Sequence, residues 1–335
     1  MISMFRSNQW LLNANKCLKV NTKGIALKDI GRSFTKKVMT RNDNLVDNPN
    51  MKSLVKPFLF TVGFSGTVYT VSIVYNYENS LSRLPFSKWK RDLHSFQDNY
   101  GNRKAGTLRN ELNQWWNSRT TGFKVFSSIA AINILVFIGW KIPRLQHFMS
   151  KHFMTYTTSN GLKCWPMLWS TFSHYSPTHL IFNLIVLHSF TQLGVNAFGT
   201  EQFIALYLSS GVISSFGSYL AKVLTKKSAA SLGASGAILG ILSSCCIARP
   251  ELELVIIFLP FFTISAGMAL KGIILMDSAG LVLGWKLFDH GAHLAGTLFG
   301  IWYATNGLNV ISQHKPKCGF WFQGLVHTNA KGIEA

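Results

Sequence analysis

The chain has 335 residues, 48% hydrophobic and only 14% charged, too few charges for an ordinary soluble protein. Its formal net charge is +20, from 33 Lys and Arg against 13 Asp and Glu; basic residues set between long apolar runs, with no recognition motif, argue against nucleic acid and for anionic headgroups of a lipid bilayer. The five cysteines, Cys17, Cys164, Cys245, Cys246 and Cys318, form no CxxC pair, so no disulfide framework or zinc module is indicated.

Residues 1–50 are rich in Lys and Arg, with Asp29 the one acid before Arg41, as in a mitochondrial transit peptide; a basic tail on a protein of another membrane is the alternative. From Pro57 to Tyr75 no charge interrupts the apolar run, about the ~20 residues that cross a bilayer. Residues 76–122 are polar and carry Trp89, Trp115 and Trp116 beside basic residues, which suggests an amphipathic segment at the membrane interface. A second span is expected over Val125–Trp140. The connection 142–177 is too long and too aromatic, with Trp165 and Trp169, to be idle.

Further spans are expected over His179–Phe198, Gln202–Ala221, about Leu232–Ala248 and about His290–Gly307, with a polar tail at 308–335. Between the last two, 254–287 reads either as two short spans or as one span after a strand-like edge, because Val255–Phe262 is as compatible with a strand as with a helix. No repeat of 20 to 50 residues occurs. The fold class is an all-α polytopic membrane protein.

Two stretches carry polar groups where a bilayer makes them costly. Ser235, in Gly233-Ala234-Ser235-Gly236, lies near the start of an apolar helix whose free amides and dipole suit an oxyanion; Gly236 and Gly240 would let another helix approach. His293, with Gly296 and Gly300 on nearly the same face, offers the matching stripe. Two such faces could bring hydroxyl and imidazole together; a back-bonded serine and a glycine packing face are the alternatives. His179 and Asn183 share one helical face and could donate to an oxyanion, or simply bond between helices. Asp289 reads as an N-cap, with partnership to His293 the sharper option. Asp277 and Glu201 fall near plausible helix ends, and His174 and His188 read as structural. No HExxH or acidic ligand cluster supports a metal.

Together, the GxSG at Gly233–Gly236, the HxxxN of His179 and Asn183, and the AHxxGxxxG of Ala292–Gly300 resemble the rhomboid family of intramembrane serine proteases, over about residues 120–307. The basic leader and the extra span are most similar to its mitochondrial members. The resemblance implies one extra helix before a six-helix core at 123–307 (1+6), the last core span but one covering about 265–284. It implies a Ser235 nucleophile, His293 as general base and then acid, no carboxylate third member, and an oxyanion hole from His179, Asn183 and the Ser235 amide. Gly233, Gly236, Gly240, Gly296 and Gly300 would set the helix spacing. The implied partners are membrane-anchored protein substrates, with no cofactor and no metal, in the mitochondrial inner membrane. A matrix-facing N-terminus with seven spans would place the C-terminus in the intermembrane space. Two departures stand out: Pro166 follows Trp165 where an Arg is usual, and Leu239 stands where many bacterial members place a Tyr against the histidine. A silent rhomboid-like binder of transmembrane helices and a transporter are the competing readings; both Ser235 and His293 are present, and no internal symmetry speaks for a transporter.

Overall fold

A computed structural model describes residues 50–82, 107–158, 161–226, 229–256, 259–285 and 288–307. The leader expected over 1–50 thus lies outside the described residues except for Asn50, as do 83–106 of the polar connection and the tail 308–335.

Five helices among the described residues are long and apolar enough to cross a membrane. They include α1 (Val55–Ser82), which continues past the apolar run ending at Tyr75. After the short α2 (Thr107–Asn117) comes the second, α3 (Thr121–Lys141), opened by the Thr120 side chain accepting from the Phe123 amide. The connection that follows is folded, with α4 (Gln146–His152), a small hairpin of β1 (Thr157–Thr158) and β2 (Gly161–Leu162), and α5 (Trp165–Trp169). Pro166 sits in the first turn of α5, where a missing N–H costs nothing.

The remaining spans are α6 (Pro177–Phe198), α7 (Thr200–Thr225) and, after α8 (Ser235–Ala248), α9 (Ala266–Leu283). The last helix among the described residues, α10 (His290–Trp302), runs into a π turn, Tyr303–Gly307. The central helix is α7: 61% of its apolar window is buried, against 11% in α1 and 22% in α9. Its neighbours are α1, α8 and α10.

The ambiguous stretch before α9 is an antiparallel hairpin, β3 (Glu253–Ile256) with β4 (Leu259–Ser265), pairing Leu254 with Ile264 and Val255 with Thr263. That removes the alternative of two short spans; Ser265 caps α9 by accepting from the Met268 amide. Exposed Leu108, Leu112, Trp115 and Trp116 recur along α2 at helical spacing, the pattern of a helix lying in an interface.

Helix α1 is tied into the core. Tyr303 donates its hydroxyl to Gln202 Oε1 at 3.0 Å, and Gln202 Nε2 donates to Ser72 Oγ at 3.0 Å. Tyr69 stacks on Tyr303 with ring centroids 5.6 Å apart. Cys245 and Cys246 are buried free thiols in the apolar core, where they act as small hydrophobes.

Candidate active site

The short α8 carries the candidate nucleophile. Its 14 residues rise roughly 21 Å at 1.5 Å per residue, less than the ~30 Å of hydrocarbon. Ser235 is its first residue, three positions later than the expected start at Leu232, and the N-cap Ala234 supplies no side-chain bond. The amides of the first turn are therefore left uncapped by side chains.

A seam of small residues joins α7, α8 and α10. A Cβ added to Gly296 would fall on the carbonyl oxygen of Gly236, and one added to Gly300 would fall on that of Gly240. From α7, Ser214 fills the space beside Gly236 and Ser210 the space beside Gly240. Ser243 and Ser244 of α8 donate to the carbonyls of Thr297 and Gly300 at 3.0 and 2.8 Å. This approach sets Ser235 Oγ 2.9 Å from His293 Nε2.

His179 packs its ring on Gly233, whose φ of +136° and lack of a side chain admit it: a Cβ there would lie 2.7 Å from Cε1 and 3.1 Å from Nε2. Asn183 is buried one turn further on, but its Nδ2 donates to the His179 carbonyl at 2.8 Å. That leaves its second N–H as the donor available to a ligand.

The long connection holds the loop before Ser235. Thr155 and Ser231 exchange two backbone hydrogen bonds at 2.9 and 2.8 Å, and the Gly233 amide donates to Ser170 O at 3.0 Å. The Ala234 amide donates to Nε2 of His174 at 3.4 Å. His174 is fully buried with His179 beside it; burial first, then that neighbour, push its pKa down to about 3, so it is the neutral acceptor this bond needs.

Asp289 is the N-cap of α10, accepting from the Ala292 amide at 3.1 Å. Its other oxygen accepts from Ser218 at 2.5 Å and from Ser231, with Lys222 Nζ 3.7 Å away and also donating to Ser231 Oγ at 2.7 Å. Burial alone would raise this carboxyl; Lys222 and the three hydrogen bonds outweigh it and hold the pKa below the usual carboxylate range.

Asp277 departs from its expected place near a helix end. It lies well inside α9, fully buried. Its Oδ1 is 2.7 Å from His290 Nδ1 and 3.3 Å from His293 Nδ1. A carboxylate thus stands near the imidazole of His293. The aromatic neighbour that Leu239 does not provide is Phe288, its ring 5.8 Å from that of His293 at 34°. Reading the motifs missed both residues. An acid inside an apolar run was the available signal for Asp277; nothing in the local pattern marked Phe288.

A helical membrane bundle with a serine and a histidine hydrogen-bonded across a glycine seam is the class that this fold and site define. A model described as the rhomboid domain matches residues 161–309. Over 285 residues the chain is 48% identical to the mouse (Mus musculus) presenilin-associated rhomboid-like protein, mitochondrial, and 47% identical to its human (Homo sapiens) counterpart, covering 84% of this chain and 74% of each relative. It is 29% identical over 204 residues to rhomboid protein 1, mitochondrial, of Saccharomyces cerevisiae, covering 58% of each chain. The chain belongs to the rhomboid family.

Proposed function

We propose that this multi-pass membrane protein is an intramembrane serine protease of the mitochondrial inner membrane, built as one extra helix before a six-helix core. The carrying observation is the 2.9 Å contact between Ser235 Oγ and His293 Nε2 at an uncapped helix start inside a bundle. The mitochondrial names of its relatives support the location.

Ser235 attacks the substrate carbonyl carbon while its proton passes to His293 Nε2. The oxyanion forms against the amides at the start of α8, with His179 and the free N–H of Asn183 as further donors. Collapse breaks the C–N bond, and His293 returns the proton to the leaving amine. Water then repeats the sequence on the acyl ester, losing its proton to His293 and releasing the acid and Ser235. A substrate helix has its backbone paired internally, so it must unwind locally before a carbonyl reaches Ser235. Membrane-anchored proteins with small or helix-breaking residues at the cut satisfy that need.

Purified protein in detergent or liposomes is incubated with a single-span substrate. Cleavage by the wild type, lost in Ser235→Ala and in His293→Ala, is the expected result. A wild type that binds the span without cutting it marks a silent binder instead, and cleavage by Ser235→Ala sinks the serine mechanism.

A further inference from the structure

Resting on the protease reading, we propose that Asp277 is a positioning residue for His293, so that the reacting pair is held by a buried carboxylate from α9.

The four buried positions of α9 are Ala266, Leu270, Asp277 and Gly280, and exposed Leu275, Met276, Val282 and Leu283 mark its outer faces. An aspartate on the buried side of a span is expensive unless it is partnered. Its partners are the two imidazoles of α10. Gly280 is part of the arrangement: a Cβ there would collide with the ring of His290, so the glycine admits the histidine that reaches Asp277.

With Ser235 donating to Nε2, the neutral His293 ring carries its proton on Nδ1. Asp277 Oδ1 lies 3.3 Å from that atom, close enough for a charge pair but not aligned as a hydrogen bond; a small turn of the ring, of the kind that tightens catalytic contacts when substrate binds, lets it accept the proton and select the tautomer whose Nε2 is free to take the serine proton. When His293 becomes an imidazolium in the transition state, the same oxygen faces the new charge. His290 Nδ1, at 2.7 Å, approaches the same oxygen and keeps the carboxylate from turning away. A pair serving only to join α9 and α10 needs His290 and Asp277 alone, and leaves catalysis indifferent to both.

The test compares wild type, Asp277→Asn and the double variant Asp277→Leu/His290→Leu in the cleavage assay, with thermal unfolding of each in detergent. The double variant removes both partners of the closest contact and fills their space with apolar groups, so the bundle keeps its packing while His293 loses its acceptor. The expected result is a kcat lower by about 100-fold, the lower end of what positioned acid–base groups contribute, with KM within about twofold. Formate, but not formamide, is expected to restore part of the activity of Asp277→Ala, because only formate returns an anionic acceptor. Wild-type kcat in either folded variant overturns the proposal, as does equal rescue by formamide. An inactive wild type counts against the protease reading, whereas an active wild type with an equally active double variant counts against Asp277 alone.

Discussion

Gly296→Ala adds one methyl group at the closest approach of α8 and α10. That methyl would fall on the carbonyl oxygen of Gly236 and lie 2.9 Å from its carbonyl carbon and 3.2 Å from its Cα, where carbons settle at about 3.5–4.0 Å. The obstacle is backbone, so no rotamer relieves it and the helices must part by roughly 1 Å. Overpacking of this kind costs about 1–3 kcal/mol. Catalysis suffers more, because Ser235 adjoins Gly236 and His293 lies one turn before Gly296: a 1 Å misplacement of reacting groups costs roughly 100-fold in rate. The cleavage assay and thermal unfolding are run beside Gly63→Ala and Gly66→Ala, whose added Cβ meets nothing within 4 Å. Those controls are expected to keep full activity and to gain up to about 1 kcal/mol from better helix propensity. Wild-type kcat in Gly296→Ala refutes the claim that the glycine seam sets the Ser235–His293 distance.

Lys222→Met leaves the Asp289 carboxylate without its cation, a loss of about 3 kcal/mol for a buried pair; an unfolding midpoint equal to wild type argues against this tie between α7 and the start of α10. Gln202→Leu removes both the acceptor of Tyr303 and the donor to Ser72, worth about 1–3 kcal/mol, and hydrogen exchange is expected to rise in α1 before the rest of the bundle; uniform exchange refutes that. His174 folds as a neutral ring with its pKa pushed to about 3, whereas the unfolded chain takes up this proton near pH 6.5. The unfolded state therefore binds more protons between those values, so stability is full above about pH 6.5 and declines toward pH 3, by about 2 kcal/mol at pH 5. His174→Gln is expected to show a smaller loss of midpoint between pH 7.5 and pH 5; an identical loss rules His174 out.

The glycine and histidine motifs were legible because close helix approach leaves a local mark: small residues four apart on one face of each helix. The same signal exists on α7 in Ser210, Ser214 and Ser218, which line up at spacings of four and touch the site. The hairpin before α9 could not be chosen from hydropathy, since Val255, Ile256 and Phe261 satisfy a strand and a helix equally; the pairing of Leu254 with Ile264 settles it in three dimensions. Asp277 is legible only in part: hydropathy alone leaves it near a possible helix end, while the resemblance, which implies a span at about 265–284, puts it inside that span without naming its partners. Once inside a span and buried, it requires partners, and those are supplied by a different helix.

The polar groups gather at one end of the short helix. The loop entering Ser235 is bonded to Thr155, Ser170 and His174 of the long connection, and to Ser218, Lys222 and Asp289 through Ser231. The opposite end of α8 leads into the β3–β4 hairpin and carries none of these groups. Because α8 is shorter than the ~30 Å of hydrocarbon, its polar end need not reach a membrane surface, and the connection bonded to that end supplies fixed hydroxyls and amides there. The same placement explains why the connection is folded. A mobile loop could shield the site, but only an ordered one can supply the His174 acceptor and the Ser170 carbonyl that hold Gly233 under the ring of His179.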